Sequence, residues 1–198
     1  MQLEVELKAY ADDLSSVKAK LEGAGANFIK AHLEVDTYFS HPERDFGQTD
    51  EALRLRIIIP EEGNDVQKEF EGAELGKCEL SYKGPKIDPA SKTREEYTVH
   101  IGNIIAAERI LTKLGFKRIM EIRKQRTIYE LDDYTVCLDD VEHLGTFVEI
   151  EKIILNDQDF KGTRQDIQDI FKEILKLDRF ERRSYLELIL ENDNQNKK

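Results

Sequence analysis

The chain has 198 residues, of which 39% are hydrophobic and 36% charged, and its apolar residues recur in periodic blocks. This pattern predicts one folded domain and excludes disorder of the whole chain. The formal net charge of -11 disfavours duplex nucleic acid and anionic membranes as partners. No apolar run approaches the roughly 20 residues of a membrane-spanning helix. Because the N-terminus shows no secretory signal, we expect a cytoplasmic protein.

Strict alternation of apolar and polar residues dominates the chain and predicts eight strands. They are expected at residues 2–9, 28–39, 52–59, 77–83, 93–101, 116–131, 134–141 and 146–155. Eight strands are enough to close a barrel.

Helical periodicity predicts four helices between and after these strands. The first follows a cap at Asp12 or Asp13 and stops at Gly23. The second and third are expected at residues 103–114 and 164–177. The last begins at Ser184, where Glu187 three residues later completes a capping box.

The remaining segments are polar or rich in turn residues. Residues 40–51 and 60–76 are therefore expected to be mobile loops. We take residues 1–190 as a single domain and residues 191–198 as a disordered tail. Cys78 and Cys137 lie inside strand patterns, and the chain has no C-x-x-C motif. They are predicted to be buried free thiols.

The polar positions of the predicted strands carry charges of both signs. In the first strand Leu3 and Val5 share one face, so Glu4 and Glu6 share the other. The same alternation places charges on the later strands, at Arg54, Arg56, Glu79, Lys83, Arg94, Glu96, Lys124, Arg126, Asp139, Glu149 and Glu151. An antiparallel sheet with one solvated face gives this alternation by default, which is the first interpretation.

A second interpretation follows from like charges that stand two residues apart, such as Glu4 with Glu6 and Arg54 with Arg56. Such pairs repel each other unless something of opposite charge lies between them. Paired carboxylates suit a divalent cation with oxygen ligands, and paired basic groups suit phosphate oxygens. This interpretation predicts a site for a metal ion and a polyphosphate. The alternation by itself leaves both interpretations open.

The segment Glu4-Val5-Glu6-Leu7-Lys8 resembles the E-x-E-x-K motif of the CYTH superfamily, the triphosphate tunnel metalloenzymes, whose members include class IV (CyaB-type) adenylate cyclases and thiamine triphosphatases. Further segments resemble successive strands of the family in the same order: Asp36-Thr37-Tyr38-Phe39, Glu51-Ala52-Leu53-Arg54-Leu55-Arg56, Leu80-Ser81-Tyr82-Lys83-Gly84-Pro85, Thr93-Arg94-Glu95-Glu96, Lys124-Gln125-Arg126 and the stretch from Leu138 to Glu151. The segment Arg183-Ser184-Tyr185-Leu186-Glu187-Leu188 is similar to the closing helix of CyaB-type members. The resemblance therefore extends along nearly the whole chain.

This resemblance implies an α+β fold, with an eight-stranded antiparallel β-barrel that forms an open tunnel and helices packed outside. It implies that Mg²⁺ or Mn²⁺ is bound by Glu4, Glu6, Asp139, Glu149 and Glu151. It implies phosphate contacts for Lys8, Arg54, Arg56, Lys83, Arg94, Lys124 and Arg126. Catalysis is assigned on the same ground to Glu4, Glu6, Lys8 and Lys83.

The function that the resemblance implies is conversion of ATP to cyclic AMP and pyrophosphate. Hydrolysis of inorganic, thiamine or nucleoside triphosphate is the alternative, because the same charged residues serve both reactions. A third possibility is a module that binds nucleotide or polyphosphate without turnover, although a pure anion sensor would need fewer carboxylates. The expected partner is a small triphosphate, and the expected oligomeric state is monomer or homodimer.

Overall fold

A computed structural model describes residues 2–60, 77–155 and 159–195. Eight strands lie in these ranges, and each end is within one residue of its predicted position. They are β1 (Gln2–Tyr10), β2 (Asn27–Ser40), β3 (Ala52–Pro60), β4 (Lys77–Lys83), β5 (Arg94–Ile101), β6 (Lys117–Leu131), β7 (Tyr134–Val141) and β8 (Gly145–Leu155).

The strands form a closed barrel in the order β1-β5-β4-β3-β2-β6-β7-β8. Strand β1 pairs with β8 in antiparallel register from Gln2 opposite Leu155 to Tyr10 opposite Phe147. It also pairs with the start of β5, where Glu4 lies opposite Arg94. The predicted α+β fold with an eight-stranded antiparallel barrel is therefore confirmed.

Helices connect the strands and follow the last of them. They are α1 (Leu14–Gly23), α2 (Phe46–Thr49), α3 (Ile104–Lys113), α4 (Phe160–Asp169), which continues as a π-helical segment over Ile170–Leu175, and α5 (Tyr185–Gln195). Asp13 caps α1, since its Oδ1 accepts hydrogen bonds from the backbone N–H groups of Ser15 and Ser16. The predicted capping box of α5 is confirmed: Ser184 Oγ accepts from the Glu187 N–H at 3.2 Å, and Glu187 Oε2 accepts from the Ser184 N–H at 2.6 Å.

Four stretches differ from the sequence prediction or lie outside the described residues. Helix α4 begins at Phe160, before the predicted start, because Asp159 caps it and accepts a hydrogen bond from the backbone N–H of Lys161 at 2.9 Å. The predicted loop at 40–51 contains helix α2, which Asp45 caps. Residues 191–195, predicted as disordered tail, are helical. The predicted loop at 60–76 lies outside the described residues beyond Pro60.

The chain divides into two compact units. The first comprises Met1–Lys30, Lys86–Glu95 and Arg126–Lys198. In its core the apolar faces of β1, β7 and β8 pack with residues of α1, α4 and the π-helical segment, with Val5 and Phe171 completely buried. The opposite face of β1 is the one that carries the charged residues of the N-terminal motif.

The second unit comprises Ala31–Pro85 and Glu96–Gln125. Its smaller core contains Phe39, Leu55 and Leu111, so strands β2 and β3 bury their apolar face together with helix α3.

Both cysteines are free and buried, as predicted. Across the part of the chain that the structure describes, no helix has the length and apolar character needed to cross a membrane.

Candidate functional site

The charged face of β1 is buried. Glu6 exposes 4% of its surface and Lys8 only 1%, although Val5 and Leu7 on the other face are also buried. A solvated face would leave these charged side chains in water. The solvated-sheet interpretation is therefore wrong for this strand, and its charges must be balanced by groups inside the protein, because a buried charge without a partner is costly.

Three carboxylates meet on this face. Glu6 and Glu151 lie directly opposite each other on β1 and β8, and Glu4 lies two residues before Glu6. Each of the three offers an oxygen within 4.8 Å of those of the other two. Like charges at directly opposed positions destabilise a sheet, so this register favours a cation among them. The all-oxygen donors and their spacing fit a hard divalent cation such as Mg²⁺, whose ligands lie about 2.0–2.1 Å from the metal.

Lys92 contacts two carboxylates of the same unit and was not predicted as a site residue. Its Nζ donates a hydrogen bond to Glu6 Oε1 and another to Glu149 Oε1 at 3.0 Å. Burial alone would lower the pKa of Lys92, but Glu149 and Glu6 outweigh burial and raise it. The side chain is therefore a charged ammonium group inside the protein.

Asp139 and Glu149 are the other two predicted metal ligands. Both accept hydrogen bonds from Arg126, which was predicted to contact phosphate. Its guanidinium donates from Nε to Asp139 Oδ1 at 2.7 Å and from Nη2 to Asp139 Oδ2 and Glu149 Oε2, each at 2.5 Å. The buried hydroxyl of Tyr185 donates to Asp139 Oδ2 at 2.8 Å. Asp139 is thus fully buried and held by two side chains, while Glu149 bridges Arg126 and Lys92.

Lys8 lies on β1 opposite Glu149. Its Nζ donates to the backbone carbonyl of Arg183 at 2.6 Å and lies 3.9 Å from the centroid of the Tyr185 ring. Burial lowers the pKa of Lys8 to about 7, and the positive charge of Lys92 contributes to the decrease. Arg94, opposite Glu4 on the neighbouring strand, is also buried.

The second unit has its own cluster of buried charges, centred on Arg56. This guanidinium donates from Nε and Nη2 to the two oxygens of Asp36, at 2.6 and 2.7 Å, and its Nη1 lies 2.9 Å from Glu34 Oε2. Lys124 Nζ lies 3.2 Å from the same Glu34 oxygen. Burial would raise the pKa of Asp36, but Arg56 and Arg54 overcome this effect and lower it.

Arg54 and Lys83 complete the predicted basic set of the second unit. Arg54 Nη2 donates to Ser81 Oγ at 3.2 Å and lies 3.7 Å from Glu96 Oε1, while Lys83 pairs with the other oxygen of Glu96. The Nε of Arg54 is buried without a hydrogen-bond partner among the described residues. An unsatisfied buried donor on a cation is a position where an anionic ligand would be stabilised.

Sequence reasoning therefore located the basic residues of both clusters except Lys92, and it did not locate all of their partners. Glu34 and Asp36 stand two residues apart on β2, the same spacing as Glu4 and Glu6, and this signal could have identified them. Lys92 lies in the segment between β4 and β5, where no strand periodicity exists to indicate its direction. Tyr185 lies in a segment that the resemblance covered, without an assigned role.

The CYTH domain family model matches residues 2–185, which include all eight strands. The chain therefore belongs to the CYTH domain family.

Individual relatives agree with this membership. The chain is 41% identical over 187 residues to the protein named "Putative adenylate cyclase MJ0240" from Methanocaldococcus jannaschii, and the match covers 94% of this chain and 98% of that protein. The solved structure of PH1819 from Pyrococcus horikoshii OT3 has a TM-score of 0.83 and 38% identity, with 96% of this chain and 99% of that chain covered. HpAC1 from Hippeastrum shares the fold, with a TM-score of 0.64 and 19% identity, and the match covers 97% of this chain and 96% of that chain. HpAC1 is named a "putative adenylyl cyclase", and a dominant triphosphatase activity is stated for it.

Proposed function

We propose that residues 1–190 form an enzyme that uses Mg²⁺ or Mn²⁺ to act on a small triphosphate. The observation that carries this proposal is the set of oxygen donors from Glu4, Glu6 and Glu151, in the same unit as the buried cations Lys8 and Arg126. A protein that only bound an anion would need the cations but not the carboxylates. Their combination therefore favours turnover over simple binding.

In this proposal the carboxylates and the basic residues have separate tasks. Glu4, Glu6 and Glu151 hold the divalent ion, which when bound neutralises charge on phosphate oxygens. Asp139 and Glu149 were predicted as further metal ligands and are kept as such in the proposal. They could bind the ion only after their hydrogen bonds with Arg126 are broken. Lys8, Arg94 and Arg126 orient phosphate oxygens, since guanidinium and ammonium groups donate several charge-assisted hydrogen bonds.

The predicted phosphate contacts of the second unit are kept as part of the proposal. They are assigned to Arg54, Arg56, Lys83 and Lys124, all of which lie on strands. The Nε of Arg54, which has no hydrogen-bond partner in the described part of the chain, supports this assignment.

The proposed reaction is cyclisation of ATP. The ribose 3′-oxygen attacks the α-phosphorus, the bond from that phosphorus to the pyrophosphate oxygen breaks, and the hydroxyl proton passes to solvent, which gives cyclic AMP and pyrophosphate. The name of the Methanocaldococcus jannaschii relative supports this choice. The second candidate is hydrolysis, in which water attacks the terminal phosphorus, the bond from that phosphorus to the bridging oxygen breaks, and orthophosphate and the shortened phosphate chain are released. The activity stated for HpAC1 supports it.

A product assay tests the proposal. Purified protein with Mn²⁺ or Mg²⁺ is given ATP, tripolyphosphate or thiamine triphosphate, and the products are followed by phosphorus NMR. Cyclic AMP and pyrophosphate from ATP support the cyclase, whereas orthophosphate from any of the three substrates, without cyclic AMP, supports the hydrolase. Turnover that persists in excess chelator contradicts the metal assignment, and binding of tripolyphosphate without turnover of any substrate indicates a binding module.

A substitution tests the carboxylates directly. Glu4→Gln keeps the size of the side chain but removes its charge, so turnover should fall at least about a hundredfold if the group holds the ion. Glu142→Gln is the control, because Glu142 is an exposed glutamate in the turn after β7. Equal activity of both variants would remove Glu4 from the site.

A further inference from the structure

We propose that Lys92 competes with the divalent cation for Glu6 and thereby sets the metal affinity of the site. The ammonium group of Lys92 is hydrogen-bonded to Glu6, the carboxylate that would hold the ion together with Glu4 and Glu151. This inference rests on the proposed function, because it concerns the same metal ligands. It assigns Lys92 an effect on metal affinity that the charge pattern of the strands does not reveal.

The contacts of Lys92 show that it shares a ligand with the carboxylate cluster. Its Nζ donates to Glu6 Oε1, while Glu6 also offers an oxygen within 4.8 Å of those of Glu4 and Glu151. The same Nζ lies 3.0 Å from Glu149 Oε1. The Lys92 side chain is only 8% exposed, so water provides little alternative solvation for the ammonium group or for the carboxylates.

The segment that carries Lys92 is fixed by buried polar contacts. The backbone N–H of Lys92 donates to the carbonyl of Glu6 at 2.9 Å. Two residues belonging to this segment, Asp88 and Ser91, are buried and hydrogen-bonded to each other. Arg164 from α4 donates to Asp88 Oδ1 at 2.9 Å, and Arg182 donates to the carbonyls of Asp88 and Ser91. These contacts therefore fix the backbone from which the Lys92 side chain extends to the carboxylates.

Charge and geometry make the ammonium group and the ion competitors. The hydrogen bond from Lys92 takes up a lone pair of Glu6 Oε1, and the charge of a divalent cation repels an ammonium group only a few ångströms away. Removal of the Lys92 charge would leave the three carboxylates with a more negative environment. We therefore expect Lys92→Gln to bind Mn²⁺ at least about tenfold more tightly than the unaltered chain.

The test is a Mn²⁺ titration of the full chain, followed by electron paramagnetic resonance of the free ion and by calorimetry, without nucleotide. A control comes from the same segment: Lys86 is a buried lysine whose Nζ lies 3.2 Å from Glu187 of α5. Lys86→Gln removes an equivalent buried charge, but its Mn²⁺ affinity should stay within about threefold of the unaltered chain, since Glu187 is not one of the clustered carboxylates.

Stability provides a second measurement. Without metal, Lys92→Gln should melt below the unaltered chain, because Glu6 and Glu149 lose their shared cation. Saturating Mn²⁺ should reduce this difference, since a ligand that binds only the folded state stabilises the variant more if the variant binds it more tightly. If Lys92→Gln does not fold, Lys92→Met keeps the unbranched apolar stem of the side chain without its charge, and it too should bind Mn²⁺ more tightly than the unaltered chain.

The outcomes separate this inference from the proposed function. Tighter Mn²⁺ binding by the Lys92 variant, with unchanged binding by the Lys86 variant, supports the competition. Equal or weaker binding by the Lys92 variants overturns it while leaving the metal site in place. Absence of Mn²⁺ binding by the unaltered chain overturns both the competition and the metal assignment.

Discussion

Arg56→Ala is expected to destabilise the protein strongly, because Arg56 is the centre of a buried ion-pair cluster. The substitution removes the two hydrogen bonds to Asp36 and the ion pair with Glu34. Both carboxylates are almost completely buried and would lose their closest cation. Lys124 still pairs with Glu34 at 3.2 Å, whereas Asp36 keeps the more distant Arg54 at 3.8 Å, so Asp36 carries most of the loss.

The size of the effect follows from this burial. Removing one partner of a buried ion pair costs about 3–5 kcal/mol, since the remaining buried charge loses its hydrogen-bonded partner. For a chain of this length, each kcal/mol lowers the melting temperature by about 2–4 °C, which gives a decrease of about 6–20 °C. Because Arg56 is a main cause of the lowered pKa of Asp36, its loss should raise that pKa. The difference from the unaltered chain should then shrink as the pH falls and Asp36 becomes protonated.

Urea and thermal unfolding followed by far-UV circular dichroism measure this loss, since the chain has no tryptophan to report it by fluorescence. Arg44→Ala is the matched control. Arg44 is in the same unit and lies 2.9 Å from Glu51, but its side chain is 52% exposed. A pair of this kind contributes about 0.2–1 kcal/mol. If Arg56→Ala costs no more than Arg44→Ala, the buried cluster does not stabilise the fold as argued.

Two further outcomes follow from the first unit. Tyr185→Phe removes the hydroxyl that donates to the buried Asp139 and should cost about 1–3 kcal/mol in urea unfolding; an unchanged midpoint would mean that this hydrogen bond contributes nothing to stability. Burial opposes ionisation of Glu181, but hydrogen bonds from the side chain and backbone of Arg183 lower its pKa from the ordinary 4.5 to about 2. The ionised carboxylate of Glu181 therefore contributes its full stabilisation above about pH 4.5, and this contribution is lost as the pH falls towards 2. The loss should be about 1–2 kcal/mol, less than the pKa shift alone implies, because the Arg183 side chain is half exposed and solvent screens the pair. Glu181→Gln should flatten the unfolding free energy over this pH range, and a profile as steep as that of the unaltered chain would contradict the assignment.

Much of the fold could be predicted because strand periodicity is a local property. Alternation of apolar and polar residues located every strand end to within one residue, since a shift by one position would turn the apolar face of β1 away from its core. Helix ends were less exact where the cap was not recognised, as at Asp159. Helix α2 has only four residues, too few for helical periodicity to appear in the sequence.

The sequence by itself determined that the charges of β1 share one face, because side chains alternate along an extended chain. It could not determine whether that face meets water or protein, since burial depends on strands distant in the chain. Only the tertiary structure decided that Glu6 lies opposite Glu151 and that Lys92 reaches Glu6 across 86 positions of sequence. The physical reason is that periodicity fixes the direction of a side chain, whereas strand register and loop packing fix its neighbours, and the neighbours determine whether a buried charge is balanced.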